Sequence, residues 1–359
     1  MSVINMVFEQ FVQERNLSKK TRRRYKTILK RYALFNDMSL EELLDEADKE
    51  KIKGVRWKNR KLKTRLIEFR KDLYNSLMSS TAKMYFMSVV SFYKHFEIEI
   101  HKLPSTSNVN VHSPEPVEFS DIPTKKLLQK VINESKNNTF KTIIYFMSST
   151  GLAMIDTLNL TVKDFLTACN VDNIDELDDL SDYVPTFKLK RRKTGKYFYT
   201  FATPETTKQI INYIHSKSNV NVDDKLFEIS ADYLYKLFQK TNDKLGKGRK
   251  NNQSLFRSHM LRKYHATTLL NSGLTLEQID VLQGRSKEIT HQSYFLDDPR
   301  VLKKIYMEHM DNLTIFEDSE KILELKEKNR EYEEKFVEQE ELIKEIVEAQ
   351  EKLEKLLEL

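Results

Sequence analysis

Two residues in the second half of the chain combine the groups that hold and process a phosphate. His259 and Arg262 are three positions apart in the segment SHMLRKYH, so a helix there places both side chains on one face. A guanidinium can hold two phosphate oxygens, while an imidazole can accept or donate a proton near neutral pH. The pair therefore predicts an anion site with a proton carrier, and the alternative is the solvated start of an ordinary helix.

Three further residues extend this chemistry. Tyr294 is a potential nucleophile, but a phenol reacts only when its proton is taken or cations stabilise the phenolate. Arg262 can supply such a cation, and so can Arg285, which the flexible backbone of Gly284 can present. Lys193, in the turn KTGK, can protonate a leaving oxygen. Taken singly, Tyr294 is equally a packed tyrosine and Lys193 a surface lysine.

Composition excludes several classes of protein. The chain has 359 residues, of which 39% are hydrophobic and 32% charged, so it can build a core. No stretch approaches the roughly 18 apolar residues of a membrane span, and we expect no membrane partner. The one cysteine, Cys169, excludes an internal disulfide and a cysteine-based metal cluster, which favours a reducing cytoplasmic setting. No Walker or dinucleotide fingerprint is present.

The net charge of +6 conceals a strong asymmetry along the chain. Residues 1–100 carry roughly +9 and residues 101–311 roughly +5, whereas the rest carries roughly −8. An acidic tail thus masks a basic body. Such a body favours a polyanionic partner, usually nucleic acid, although an excess of Lys and Arg is also found on ordinary surfaces.

The pattern along the chain predicts four regions. Residues 1–102 have apolar positions at helical spacing and form a helical domain. Residues 103–117 are polar with three prolines and predict a linker. Residues 118–311 form a second, mostly helical domain, in which 183–190 and 197–202 predict a β-hairpin. The fold class predicted is mainly α with a small antiparallel β-sheet.

The last region, 312–359, has an acidic heptad pattern. Its first-position residues include Ile322, Asn329 and Phe336, and five heptads keep register. A self-associating coiled coil fits this pattern, and a buried Asn329 would favour a dimer. A single amphipathic helix lying on its own body is the alternative.

Taken in order, the motifs of the second domain resemble those of the tyrosine recombinases, the phage-integrase family of site-specific DNA strand-exchange enzymes, in an archaeal- or virus-like variant. The motifs are Thr150-Gly151-Leu152 with Asp156, then KTGK from Lys193, His259-x-x-Arg262, Gln283-Gly284-Arg285 and Tyr294. The resemblance covers about 120–300, and the basic helical region before it resembles the core-binding domain of the family.

The resemblance implies a role for each of these residues. Tyr294 matches the nucleophile, which forms a 3′-phosphotyrosyl link without a metal or other cofactor. Arg262 matches an arginine that binds non-bridging phosphate oxygens, and His259 the histidine beside it. Lys193 matches the hairpin lysine that protonates the leaving 5′-oxygen. Arg285 lies where many members have histidine or tryptophan, and its guanidinium can still donate to a phosphate.

One position departs from the family pattern. The first arginine of the family should follow Thr-Gly-x directly, but Ala153 stands there. Three explanations are open: a deliberate replacement, which alanine suggests; substitution by a neighbour such as Arg285, Arg191 or Arg192; or a natural DNA-binding protein that has lost catalysis.

DNA contacts are expected on a basic run between positions 15 and 31, which contains no acidic residue. The candidate phosphate-binding residues there are Lys19, Lys20, Arg22, Arg23, Arg24 and Lys26. A solvated helix face is the alternative. The sequence thus predicts a nucleoid-associated recombinase or integrase of a mobile element, bound to double-stranded DNA as a homo-oligomer of two to four chains. The alternative is a catalytically inactive DNA-binding or architectural protein on the same fold.

Overall fold

The computed structural model describes residues 6–105, 115–285 and 298–316, which divide into two compact units, Met1–Pro116 and Val117–Leu359. Each unit has its own hydrophobic core. The division falls within the predicted linker, but Leu103 still packs on the core of the first unit and Pro104 accepts a hydrogen bond from Arg70. None of the helices in these described ranges is long and apolar enough to cross a membrane.

The described part of the first unit contains α-helices and a short 3₁₀ turn at Trp57–Asn59, and no strand. Its helices are α1 (Met6–Glu14), α2 (Lys19–Asn36), α3 (Leu40–Ile52), α4 (Lys61–Ser76) and α5 (Ser79–His95).

Helix α2 shows how local sequence defines this unit. The Ser18 side chain accepts a hydrogen bond from the Thr21 amide and caps the helix start. Tyr25, Ile28 and Leu29 form a buried stripe at helical spacing, which leaves the basic residues on the other faces. The buried Tyr32 hydroxyl lies 3.1 Å from that of Tyr93 on α5, so the burial of both phenols is offset by a shared hydrogen bond.

The second unit contains nine helices in its described part, together with two short hairpins. The helices are α6 (Lys125–Glu134), α7 (Asn138–Thr150), α8 (Met154–Thr157), α9 (Val162–Cys169), α10 (Pro204–His215), α11 (Ala231–Lys244), α12 (Ser258–Ser272), α13 (Leu276–Leu282) and α14 (Pro299–His309). Short 3₁₀ turns lie at Phe119–Asp121, Ile174–Leu180 and Met310–Asn312.

The predicted hairpin is present in the second unit. Strands β1 (Thr186–Lys190) and β2 (Tyr197–Phe201) pair antiparallel, with Thr186 opposite Phe201 and Lys190 opposite Tyr197. A further two-residue pair, β3 (Arg249–Lys250) and β4 (Gln253–Ser254), was not predicted because each strand is too short to show alternation. The fold class is mainly α with a small antiparallel sheet, as predicted.

Helix α7 lies at the centre of this unit, packed against α10 and α12. Nearly all its residues from Phe140 onward are buried, including the polar ones near its end. The Ser149 hydroxyl accepts the Thr203 amide at 2.7 Å, and the Thr150 carbonyl accepts the Thr200 hydroxyl at 2.8 Å. These bonds fasten the end of α7 to β2 and to the start of α10.

The described chain ends at residue 316, bound to the same unit. The Glu205 carboxylate accepts the amides of Ile315 and Phe316 at 2.7 and 2.8 Å. Gln129 donates to the Ile315 carbonyl at 2.7 Å, and the Ile315 side chain is buried. The heptads predicted from 312 onward lie almost wholly outside the described residues, so the coiled coil stays a prediction.

We expect Glu205→Ala to destabilise the second unit by about 1–3 kcal/mol, because two partly buried amides lose their acceptor. Burial raises the pKa of this carboxyl, opposed by the two amide hydrogen bonds. Chemical denaturation measures the change. Glu277→Ala is the control, since Glu277 is an exposed glutamate in the first turn of α13, as Glu205 is in the first turn of α10. Equal effects of the two variants would contradict the anchoring role.

Candidate active site

The candidate site is built around Arg262, on the first turns of α12. Its side chain is only 5% exposed. Nη1 donates to the Gly151 carbonyl at 2.6 Å, and Nη2 donates to the Gln283 carbonyl at 2.7 Å. A guanidinium has five N–H groups, so three remain for a ligand. Arg262 therefore joins the end of α7 to the end of α13 and stays a potential phosphate donor.

A glycine at position 151 is required by this packing. Gly151 ends α7 with φ +64°, a left-handed conformation that favours glycine. A Cβ atom there would lie 2.6 Å from His265 Nδ1 and 2.9 Å from Gln283 Nε2. The Gly151 carbonyl can therefore approach Arg262 because residue 151 has no side chain.

His265 completes the buried polar network below Arg262. The Gln283 amide nitrogen donates to the Arg262 carbonyl and lies 3.0 Å from His265 Nδ1. Since that nitrogen is a donor, Nδ1 is the acceptor and the ring proton is on Nε2. Burial, with the charges of Arg262 and Arg285, lowers the pKa of His265 to about 3. His265 is thus a neutral structural histidine that the sequence analysis missed.

The turn of the β1–β2 hairpin lies at the same site. In the turn between the strands, Arg191 Nη1 donates to the Gly284 carbonyl. The Arg192 amide donates to Asp156 Oδ1 at 3.2 Å, which ties the turn to α8. Lys193 is exposed on this turn, and no described residue bonds its ammonium group. The contacts of Arg191 and Arg192 therefore fix the start of the turn, while the Lys193 ammonium group bonds no described residue.

Gly284 brings β2 directly against the end of α13. Its φ is +59°, and a Cβ atom would lie 2.6 Å from the Phe198 ring. Arg285 follows, and its guanidinium pairs with Asp280 at 2.9 Å. The predicted turn at Gly284 is present, but the Arg285 guanidinium binds a carboxylate of the preceding helix, α13.

The electrostatic balance of the site favours an anion. Burial, with the charges of Arg191 and Arg285, lowers the pKa of Arg262 to about 10, and the charges of Asp156 and Asp280 oppose this shift. Arg262 therefore remains protonated at neutral pH. Among the described residues, no group of histidines, cysteines and carboxylates could hold a metal ion.

His259 lies on the exposed side of the same helix start. Partial burial of the ring lowers its pKa, and the surrounding cations, of which Arg257 and Lys263 act most strongly, lower it further. The lowered pKa favours the neutral ring, which can accept a proton. Ala153 begins α8 without a side-chain cap, where the family pattern expects an arginine.

Tyr294 lies outside the described residues, and its place in the site stays a prediction. The structure brings together Arg262, Arg285 and the hairpin turn that carries Lys193. Sequence reasoning named all three but missed the carbonyl contacts, which no side-chain pattern reveals.

The predicted DNA-binding residues form an exposed basic surface on α2 of the first unit. Lys19, Lys20, Arg23 and Lys26 are exposed and have no ion pair with a described residue. Arg24 is also exposed, with its guanidinium over the Tyr25 ring at 5.9 Å. Arg22 differs, because its guanidinium binds Glu9 at 2.7 and 2.8 Å.

Comparison with known proteins points to one group. No family model matches the chain. It is similar to the tyrosine recombinase XerA of Saccharolobus solfataricus, with 26% identity over 226 residues, 62% of this chain and 66% of the relative.

Two solved structures are also similar. One is the lambda integrase tetramer bound to a Holliday junction, with a TM-score of 0.51, 13% identity and coverage of 81% of this chain and 78% of that chain. The other is the Tn1549 transposon integrase in complex with transposon right end DNA, with a TM-score of 0.49, 16% identity and coverage of 85% and 99%. The predicted resemblance to tyrosine recombinases is confirmed, with an archaeal relative.

We expect His265 to make the protein less stable as the pH falls below about 6.5. The unfolded chain takes up a proton there, whereas the native ring does so only near pH 3. The residue therefore contributes a loss of about 1.4 kcal/mol per pH unit. Denaturant unfolding between pH 7 and 5 measures this slope.

His265→Asn keeps an acceptor near the Nδ1 position and should reduce the pH slope, whatever its effect on stability at pH 7. His215→Asn is the control, because His215 is partly exposed and its partner is a surface carboxylate, Asp178. An unchanged slope in His265→Asn would show that the native ring takes up a proton in the same pH range as the unfolded chain.

Proposed function

We propose that this chain is a site-specific DNA recombinase that cleaves and rejoins strands through a 3′-phosphotyrosyl link to Tyr294. The observation that carries the proposal is the buried guanidinium of Arg262, held by the carbonyls of Gly151 and Gln283. Three motifs, which together span more than a hundred residues of sequence, supply these groups in the order of the tyrosine recombinases. The similarity to XerA and the fold support it.

The proposed reaction exchanges a phosphodiester bond of the DNA for one to Tyr294. The Tyr294 phenol oxygen attacks phosphorus, and the bond from phosphorus to the 5′-oxygen breaks. The phenol gives its proton to the neutral ring of His259. Lys193 gives a proton to the leaving 5′-oxygen. Arg262 and Arg285 stabilise the added negative charge on the non-bridging oxygens. Attack by a 5′-hydroxyl of another strand reverses the step and rejoins the DNA.

Double-stranded DNA is the proposed partner. The exposed cations of α2 are spaced along a helix of 18 residues, which suits phosphates along a groove. Each chain has one candidate nucleophile, so an exchange between two duplexes needs several chains. We therefore propose assembly as a homo-oligomer on DNA.

A non-catalytic DNA-binding protein is the second candidate function, and Ala153 favours it. Alanine cannot donate to a phosphate, and one lost donor to a transition-state oxyanion typically lowers the rate about 100- to 1,000-fold. Cleavage distinguishes the two functions, because only the recombinase forms a covalent adduct.

We expect the protein to form a covalent adduct with nicked duplex DNA carrying the sequences that flank its own coding region. The nick lets the short cleaved product diffuse away, so the phosphotyrosyl link accumulates. Denaturing gels with labelled DNA measure the adduct. Tyr294→Phe should abolish it, and Tyr233→Phe, at an exposed tyrosine of α11, should not. DNA binding without any adduct in the wild type would favour the non-catalytic protein.

We also expect DNA affinity to fall steeply between 50 and 200 mM salt, since each neutralised phosphate adds about 0.9 to the slope of log K against log salt. Fluorescence anisotropy with a labelled duplex measures it. Arg23→Gln should reduce the slope by about 1. Arg22→Gln should change it less, because Glu9 already binds that guanidinium. A flat salt response would contradict DNA binding.

A further inference from the structure

The site lacks the donor that an arginine at position 153 would give, yet a second guanidinium is present beside Arg262. Arg262 Nη2 donates to the Gln283 carbonyl, and Arg191 Nη1 donates to the carbonyl of the next residue, Gly284. Consecutive residues have Cα atoms 3.8 Å apart in any trans chain. The two guanidinium groups are therefore attached to neighbouring carbonyls of one short turn.

The backbone of Arg191 is fixed, so this placement is built into the hairpin. Its amide donates to the Lys196 carbonyl at 2.8 Å, and its carbonyl accepts the Gly195 amide at 2.8 Å. Gly195 supports the turn with φ +71°. The side chain is half-buried and leaves the hairpin at the first residue after β1.

No carboxylate neutralises Arg191 among the described residues. Asp280 pairs with Arg285, and Asp156 accepts the Arg192 amide. Two cations held side by side repel each other unless an anion lies between them. The repulsion is consistent with the lowered pKa of Arg262, to which the charge of Arg191 contributes.

The two neighbouring arginines fit the role less well. Arg285 already has a carboxylate partner, and the exposed Arg192 has only its backbone amide bound at the site. Arg191 is the arginine that combines a fixed side chain, a free charge and a place next to Arg262.

We propose that Arg191 is a catalytic residue of this chain, which binds a non-bridging oxygen of the scissile phosphate and replaces the arginine absent at position 153. The inference rests on the proposed recombinase function. Arg262 and Arg191 then hold the phosphate from two sides, one from α12 and one from the hairpin. The hairpin thereby contributes both Arg191 and Lys193 to the same phosphate.

The test is the rate of adduct formation on nicked duplex DNA in a single turnover. Arg191→Ala should lower the rate about 100- to 1,000-fold, the usual effect of one lost oxyanion donor. Arg192→Ala is the matched control and should change it less than about threefold. The double variant Arg191→Ala with Ala153→Arg should recover at least tenfold, because the arginine returns on the other side of the site.

A second substrate separates binding of the phosphate from support of the fold. In DNA with a methylphosphonate at the scissile position, a neutral methyl group replaces one charged oxygen. Arg191→Ala and the wild type should then react at similar rates on this DNA. Arg191→Gln also removes the charge but keeps a polar side chain, and it serves the same comparison if the alanine variant fails to fold.

The outcomes distinguish the inference from the function on which it rests. If the wild type forms a Tyr294-dependent adduct and Arg191→Ala retains its rate, the inference is wrong and the recombinase stands. An equal loss on both substrates would assign Arg191 to the fold and also overturn the inference. If the wild type forms no adduct on ordinary DNA, the recombinase proposal fails and this inference fails with it.

Discussion

A buried positive charge is the constraint on which the second unit depends. Arg262 is almost fully enclosed, and such a guanidinium is costly to bury unless its N–H groups find acceptors. Its acceptors are the carbonyls of two helix ends, those of α7 and α13. The position of Gly151, the close packing of His265 and the amide of Gln283 all follow from satisfying this group. The catalytic proposal thus rests on a geometry that the core of the domain maintains.

The surroundings of Arg262 are cationic, since Arg191 and Arg285 lie near it. Asp156 accepts the Arg192 amide and Asp280 pairs with Arg285, and these two carboxylates only partly offset the charges of the arginines. A phosphate entering the site replaces repulsion between like charges with attraction. The same structural contacts that position the hairpin therefore prepare the site for an anion.

Much of the fold could be predicted from the sequence, and the reason is local. Helix α2 follows from Ser18 and the apolar stripe at Tyr25 and Ile28, and the hairpin follows from alternation around a glycine turn. Bonds to carbonyl oxygens could not be predicted, because every residue has a carbonyl and the sequence marks none of them. His265 was missed for a related reason: it lies one turn beyond Arg262, and only the tertiary fold shows that it is buried. The order of the motifs predicted Arg262, Arg285 and the hairpin as one site, whereas the place of Tyr294 stays a prediction.

The choice of acceptors for Arg262 bears on how the protein tolerates genetic change. A side-chain acceptor disappears with one codon change, but a carbonyl oxygen remains whichever amino acid occupies the position. Substitution at Gln283 would disturb the amide network and still leave the oxygen that holds the guanidinium. Gly151 is the exception, since any side chain there meets His265. The carbonyl contact at position 283 is therefore kept when that residue is substituted, whereas the contact at position 151 depends on glycine.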